Sequence, residues 1–124
     1  GMLLKQLWLF DTKVTDLSPL QGMPIDTLNL GGTKVSDLSP LRGMPLVELS
    51  FLTCSEVIDF SPLARVTTLK FLTLPQQAKN FDFLRALTGL ERIGYGQDGY
   101  LPDKTAAEFW QEFDAKTISE SKQP

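Results

Sequence analysis

The chain repeats a pattern of leucines and turn residues, with a spacing of 21 residues between its first two units. The positions of the first unit that recur are Leu7, Leu9, Thr12, Val14, Asp16, Leu17, Ser18, Pro19 and Leu20. Their counterparts in the second unit are Leu28, Leu30, Thr33, Val35, Asp37, Leu38, Ser39, Pro40 and Leu41. A period of this length is typical of a solenoid, in which each unit buries its apolar side by stacking on the next.

The pattern continues, less regularly, to about Tyr95 of the 124 residues. We predict a repeat region over 1–96, a loop and helix over 97–118, and a frayed tail over 119–124. The repeats within the first region are 4–24, 25–45, 46–68, 69–89 and a half-repeat at 90–96. One extra residue precedes Val57 and another lies near Thr68, so the later units are spaced more widely.

Each repeat begins with a segment of the form Leu-x-x-Leu-x-Leu, which predicts a short strand. Its last three residues alternate between apolar and variable positions, so the leucines face the core and the residue between them faces outward. Five such strands, stacked in parallel, would form one face of the solenoid.

The other side of each repeat is predicted to be a short turn. Ser-Pro recurs at 18–19, 39–40 and 61–62, and we interpret it as a helix N-cap followed by the first helical residue. Asp82-Phe83 takes its place in the fourth repeat, where the aspartate could also cap. Each Ser-Pro is preceded by an aspartate, at Asp16, Asp37 and Asp59, which we expect to close a turn on nearby backbone amides.

The repeats are followed by a glycine-rich segment over 94–99, predicted to be a flexible loop, and then by an amphipathic helix. Thr105 and Glu108 have the spacing of a capping box. An apolar stripe follows at Ala106, Phe109, Trp110 and Phe113, spaced as on one helix face. We expect this helix to cover the open end of the last repeat, although the stripe could instead dock on a partner.

The motif Leu-x-x-Leu-x-Leu-x-x-Thr-x-Val-x-Asp-Leu-Ser-Pro-Leu resembles the leucine-rich repeat, in the short bacterial form shared with the internalins. The resemblance covers Leu4 to Tyr95 and is closest in the first two repeats. It implies an α/β repeat solenoid: a right-handed coil with a concave parallel β-sheet, short 3₁₀ or irregular convex turns and a C-terminal capping helix. Protein binding through the concave sheet is the usual activity of the family. The end of the chain also resembles repeat tails of multidomain bacterial Ser/Thr kinases, but no kinase motif is present.

The outward strand positions are the candidate binding residues. Aligned by repeat, they form three columns across the predicted sheet, and large apolar side chains among them are typical interface anchors. The proposed protein-binding set is Gln6, Trp8, Phe10, Asn29, Glu48, Ser50, Leu52, Phe71, Thr73 and Arg92. An alternative for Trp8 and Phe10 is contact with an upstream cap. Glycine or proline late in the third column could admit a partner's backbone or end the strands.

Composition argues against several other functions. The chain contains no histidine and a single cysteine, Cys54, which we expect to be a buried structural residue. Histidine-based nucleophiles and metal sites are therefore absent, and we predict no enzyme activity, cofactor or metal. The net charge of −3 argues against nucleic acid, and no apolar run is long enough to insert in a membrane.

Three further expectations concern context. Gly1 before Met2 resembles a residue left by tag cleavage, so we expect a fragment of a larger multidomain protein. The start lacks the features of a signal peptide, which favours the cytoplasm. An uncovered first repeat could drive self-association of two copies. The alternatives to protein binding are a carbohydrate-binding surface and a structural or regulatory segment of an attached catalytic domain.

Overall fold

The structure is a computed structural model that describes residues 5–9, 11–57, 59–75, 77–95, 102 and 104–121, with the backbone alone for 117–121. Phe10, one of the candidate binding residues, lies outside the described residues. Of the loop predicted over 94–99, Gly94 and Tyr95 instead belong to a strand, and 96–99 lie outside the described residues.

Five short strands form one parallel sheet in the order β1-β2-β3-β4-β5. Their bounds are Gln6–Trp8, Thr27–Asn29, Glu48–Ser50, Phe71–Leu74 and Arg92–Tyr95. The order in the sheet follows the order in the chain, so every repeat adds one strand beside the previous one. The predicted solenoid with a parallel sheet is confirmed.

The register of the sheet matches the spacing of the repeats. Leu7 pairs with Leu28, Leu28 with Leu49 and Leu49 with Leu72. The last three of these leucines are fully or almost fully buried. Stacked leucines on one side of the sheet therefore form a continuous core, and truncating one of them to alanine is expected to cost about 2–5 kcal/mol.

The convex turns are short 3₁₀ helices, as the resemblance implies, but their first turns differ from the prediction. The backbone N–H groups of Ser18, Ser39 and Ser61 each donate 2.9 Å bonds to the aspartate two residues earlier. The turn-closing role of the three aspartates is confirmed.

The prediction that serine is the N-cap is wrong. Serine is the first helical residue, and the N-cap positions are Leu17, Leu38 and Phe60, none of which makes a side-chain cap bond. Asp82 likewise starts its helix, after Phe81. The aspartate already satisfies the serine N–H, so the hydroxyl is not needed as a cap; that of Ser39 donates to Asp37 instead, at 2.7 Å.

Glycine determines where the first two 3₁₀ helices end. Ser18–Leu20 and Ser39–Leu41 are three residues long and lead into turns that place Gly22 at φ 82° and Gly43 at φ 74°. A type II turn requires such a residue at its third position. In the third and fourth repeats Arg65 and Ala86 stand at the equivalent position, and the helices run for five residues, Ser61–Arg65 and Asp82–Ala86.

Helix α1, Ala106–Ser121, covers the end of the fifth repeat. Its predicted capping box is confirmed: Thr105 N–H donates to Glu108 at 3.1 Å, and Glu108 N–H donates to the Thr105 hydroxyl at 3.2 Å. Phe109 is buried at the centre of an aromatic cluster with Phe81, Tyr95, Trp110 and Phe113. The helix includes residues 119–121, which the sequence assigned to the tail.

Cys54 lies in the core, as predicted. Its thiol donates to the carbonyl of Leu30 in the preceding repeat at 2.7 Å and lies 3.7 Å from the Thr33 hydroxyl. Burial raises the pKa of the thiol above its ordinary value. A buried, protonated thiol is chemically inert. The role of Cys54 is structural, because its thiol bond joins two neighbouring repeats.

Candidate functional site

The candidate site is the concave face of the sheet, where the described outward residues form two aligned rows. The first row crosses all five strands and consists of Gln6, Thr27, Glu48, Phe71 and Arg92. The second consists of Trp8, Asn29, Ser50, Thr73 and Gly94. Parallel pairing in register brings side chains from distant points of the chain onto one surface. The first two columns predicted from the sequence match these rows.

Trp8 on β1 is the most prominent side chain of this face. It is 43% exposed and is the exposed large hydrophobic residue among those described. Phe71, on β4, is partly exposed on the same face. An indole and a phenyl group that flank one sheet surface provide large apolar contact areas at little conformational cost.

The small polar residues that follow Trp8 along the second row are buried. Asn29, Ser50 and Thr73 are 8%, 4% and 1% exposed, so they form the floor of the face rather than a solvated surface. Asn29 accepts the Gly31 N–H at 2.9 Å, and the Ser50 hydroxyl accepts the Leu52 N–H at 3.3 Å. These two side chains hold the ends of their own strands, which sequence reasoning assigned only to partner contact.

The described members of the third predicted column differ from those of the first two columns; the predicted column is Phe10, Gly31, Leu52, Pro75 and Gly96. Gly31 is buried, and a Cβ built on it would lie 2.9 Å from the Leu52 carbonyl oxygen and 3.1 Å from Asn29 Oδ1. Glycine is therefore needed for the close approach of the next repeat's own backbone. Leu52 is partly exposed and Pro75 is buried.

Several of the candidates meet in one depression of the concave face. Those that line it are Trp8, Asn29, Glu48, Ser50, Phe71 and Thr73, together with Thr27, Leu28, Leu49 and Pro102. Gln6, Leu52 and Arg92 do not line it. The open cavity measures about 10 Å³, about the space of one water molecule.

Pro102 is the residue of this site that sequence reasoning missed. It is buried, and it lies in the depression although it belongs to the segment between β5 and α1. No periodic signal marks it, because it stands outside the repeats. Its neighbours in sequence, Leu101 and Asp103, lie outside the described residues.

Charged groups lie on the face and around it. Glu48, on the central strand β3, is half-buried and lines the depression, and Arg92 is exposed on β5. Lys70 and Glu91, at the starts of the last strands, approach to 3.8 Å, and both remain more than half exposed. An exposed ion pair of this kind contributes little to the stability of the fold. Its charges instead affect which charged groups a partner can place beside it.

The acidic residues of the convex turns are committed to structure. Hydrogen bonds from the serine two residues later lower the pKa values of Asp16, Asp37 and Asp59 below the ordinary 3.8. Within the described part of the chain, no group of three or more histidine, cysteine or acidic side chains could hold a metal ion. No helix in that part is long and apolar enough to cross a membrane.

The solved structures that share the fold include two internalins. Internalin C2 of Listeria monocytogenes str. 4b F2365 is 33% identical, with a TM-score of 0.64, over 75% of this chain and 43% of that chain. An internalin F of the same strain is 28% identical, with a TM-score of 0.60, over 68% of this chain and 26% of that chain. This chain thus spans less than half of either protein. No family model and no curated protein matches it.

Proposed function

Because the chain is a leucine-rich-repeat protein with short, internalin-like repeats, we propose that it is a non-catalytic protein-binding module whose partner docks on the concave sheet. The observation that carries the proposal is Trp8, which is 43% exposed beside the partly exposed Phe71. Large aromatic side chains dominate the binding energy of protein interfaces.

The face suits a partner that presents a convex, largely apolar surface. Its floor is made of small side chains whose polar groups already serve the chain's own backbone at Asn29 and Ser50. Few hydrogen bonds are therefore available at the centre, and affinity would come from burying the aromatic side chains. Glu48 lines the depression from β3 and Arg92 lies on the edge strand β5, and these charges would orient a partner and exclude mismatched ones.

The test compares partner capture by the intact chain and by single alanine variants. Extract from source cells is passed over immobilised wild type, Trp8→Ala, Phe71→Ala and Phe83→Ala, and the bound proteins are quantified by mass spectrometry. Phe83 is the matched control, because it is also a partly buried phenylalanine but lies in the convex helix Asp82–Ala86.

Proteins bound through the concave face should be lost from both concave variants and retained by Phe83→Ala. Loss of an anchor side chain costs about 2 kcal/mol, or about thirtyfold in affinity. Equal capture by all four proteins, or loss with Phe83→Ala alone, would place the binding surface elsewhere.

A further inference from the structure

Pro102 reaches the concave face from the far edge of the sheet. Thr105 forms an antiparallel bridge with Arg92, and the Lys104 carbonyl accepts the Ile93 N–H at 3.2 Å. Residues 104 and 105 therefore run beside β5. Pro102 comes only two residues before Lys104, yet it lines the depression with residues of β1, β2, β3 and β4.

The surroundings of Pro102 are those in which proteins recognise proline. Trp8 and Phe71 line the same depression, and aromatic-lined grooves bind proline because its ring is apolar and its backbone is already restricted. Proline also carries no N–H, so it leaves no donor unsatisfied over a floor where Asn29 and Ser50 are already engaged.

We propose that the concave depression is a proline-recognition site and that Pro102 of the same chain occupies it. The partner is then a protein that offers a proline in an extended segment and competes with Pro102 for the depression that Trp8 and Phe71 line. The inference rests on the proposed function, since it specifies the chemistry of a partner that binds this face.

The competition has a calculable size. A tethered segment acts at an effective concentration of about millimolar. A free peptide with the same contacts must therefore exceed that concentration before it displaces Pro102. Removing the proline ring from the chain should open the depression to the peptide.

The experiment measures binding of a fluorescein-labelled peptide copy of residues 97–105, Gln-Asp-Gly-Tyr-Leu-Pro-Asp-Lys-Thr, by fluorescence polarisation. The full chain is tested as wild type, as Pro102→Gly and as Pro24→Gly. Pro24 is the matched control, an exposed proline in the turn before β2. A second peptide carries Pro102→Ala, and circular dichroism verifies that each variant folds.

The expected result is that Pro102→Gly binds the proline peptide at least about tenfold more tightly than wild type and Pro24→Gly do. The alanine peptide should bind Pro102→Gly at least about tenfold more weakly than the proline peptide. Adding Trp8→Ala to Pro102→Gly should remove the gain, since the indole lines the depression.

Three results would overturn the inference: no peptide binding by Pro102→Gly, equal binding by wild type and Pro102→Gly, or equal binding of the proline and alanine peptides. After any of these three results, the proposed function still holds if Trp8→Ala and Phe71→Ala abolish partner capture. If capture is unaffected by those variants, the proposed function fails whatever the peptides do.

Discussion

Thr53 has a backbone conformation that a β-branched residue rarely adopts. Its φ is 60°, in the left-handed region, and the equivalent residues of the first two repeats, Asp11 and Gly32, have φ values of 58° and 73°. The first three repeats therefore share this conformation in the turn that follows the strand. Glycine meets the demand without strain in the second repeat, whereas threonine in the third is strained.

Replacing Thr53 with glycine should therefore stabilise the chain. Relief of the left-handed strain is worth about 1–2 kcal/mol, and the greater freedom of glycine in the unfolded chain offsets part of it. We expect the free energy of unfolding in urea to rise by about 0.5–1 kcal/mol. Thr88→Gly is the control, because Thr88 is exposed without a positive φ, and it should lower stability. A loss with Thr53→Gly would show that its hydroxyl bond to the Leu52 carbonyl outweighs the strain.

The thiol of Cys54 should react slowly in the native chain. Its thiol is buried, and its raised pKa keeps it protonated at neutral pH. Because the thiolate is the nucleophile, we expect a thiol reagent at pH 8 to label the native chain at least about a hundredfold more slowly than the urea-unfolded chain. Rapid labelling of the native chain would contradict the assigned place of Cys54 in the core.

The aspartates of the convex turns should make the stability of the fold depend on pH. In Asp16, Asp37 and Asp59 the folded pKa lies below the ordinary value because hydrogen bonds from the serine two residues later favour the ionised form. The serine N–H contributes most at Asp16 and Asp59, and the Ser39 hydroxyl contributes most at Asp37. A depressed folded pKa stabilises the fold above the unfolded value, near pH 4, and this contribution is lost as pH falls through the folded value. The chain should thus lose stability as the pH falls from 5 towards 2.

Replacing the three aspartates with asparagine tests this account of the turns. The triple variant keeps an acceptor for each serine N–H but has no charge to titrate, so its midpoint of urea unfolding should fall less steeply between pH 5 and pH 2. Glu108 and Asp114 also have lowered pKa values, and they should leave a residual slope. An unchanged slope would mean that the acid sensitivity arises outside the turns.

Helix α1 gives a prediction about the end of the solenoid. Phe109 is 5% exposed and contacts four aromatic residues, so Phe109→Ala should lower the free energy of unfolding by about 3–5 kcal/mol. Gln111→Ala is the control, because Gln111 is exposed on the same helix, and it should change stability by less than about 0.5 kcal/mol. Urea unfolding measures both. Equal effects would show that α1 is not needed to close the last repeat.

Sequence reasoning succeeded where the information is periodic. The 21-residue spacing of Leu7 and Leu28 determines which residues pair in the sheet, and the Thr105–Glu108 spacing determines where α1 begins. It failed where two local bonds compete: a Ser-Pro pair resembles an N-cap, but the aspartate two residues earlier binds the serine N–H first.

Across the whole molecule, the concave face is more than the outer surface of five strands, because Pro102, from outside the repeats, also lines its depression. The rows of outward residues follow from the repeat, and six of the ten candidate residues do line one depression. Pro102 could not be predicted, because its position depends on the path of a segment without a repeat pattern.

The most direct test introduces a photo-crosslinking amino acid into the full chain in source cells, at Glu48 in one variant and at Arg65 in another. Glu48 borders the concave depression, and Arg65 is exposed at the end of a convex helix. We expect a protein adduct from position 48 and none from position 65. Adding Trp8→Ala should reduce the amount of the adduct from position 48. Adducts from position 65 alone would contradict the claim that the concave sheet is the binding surface.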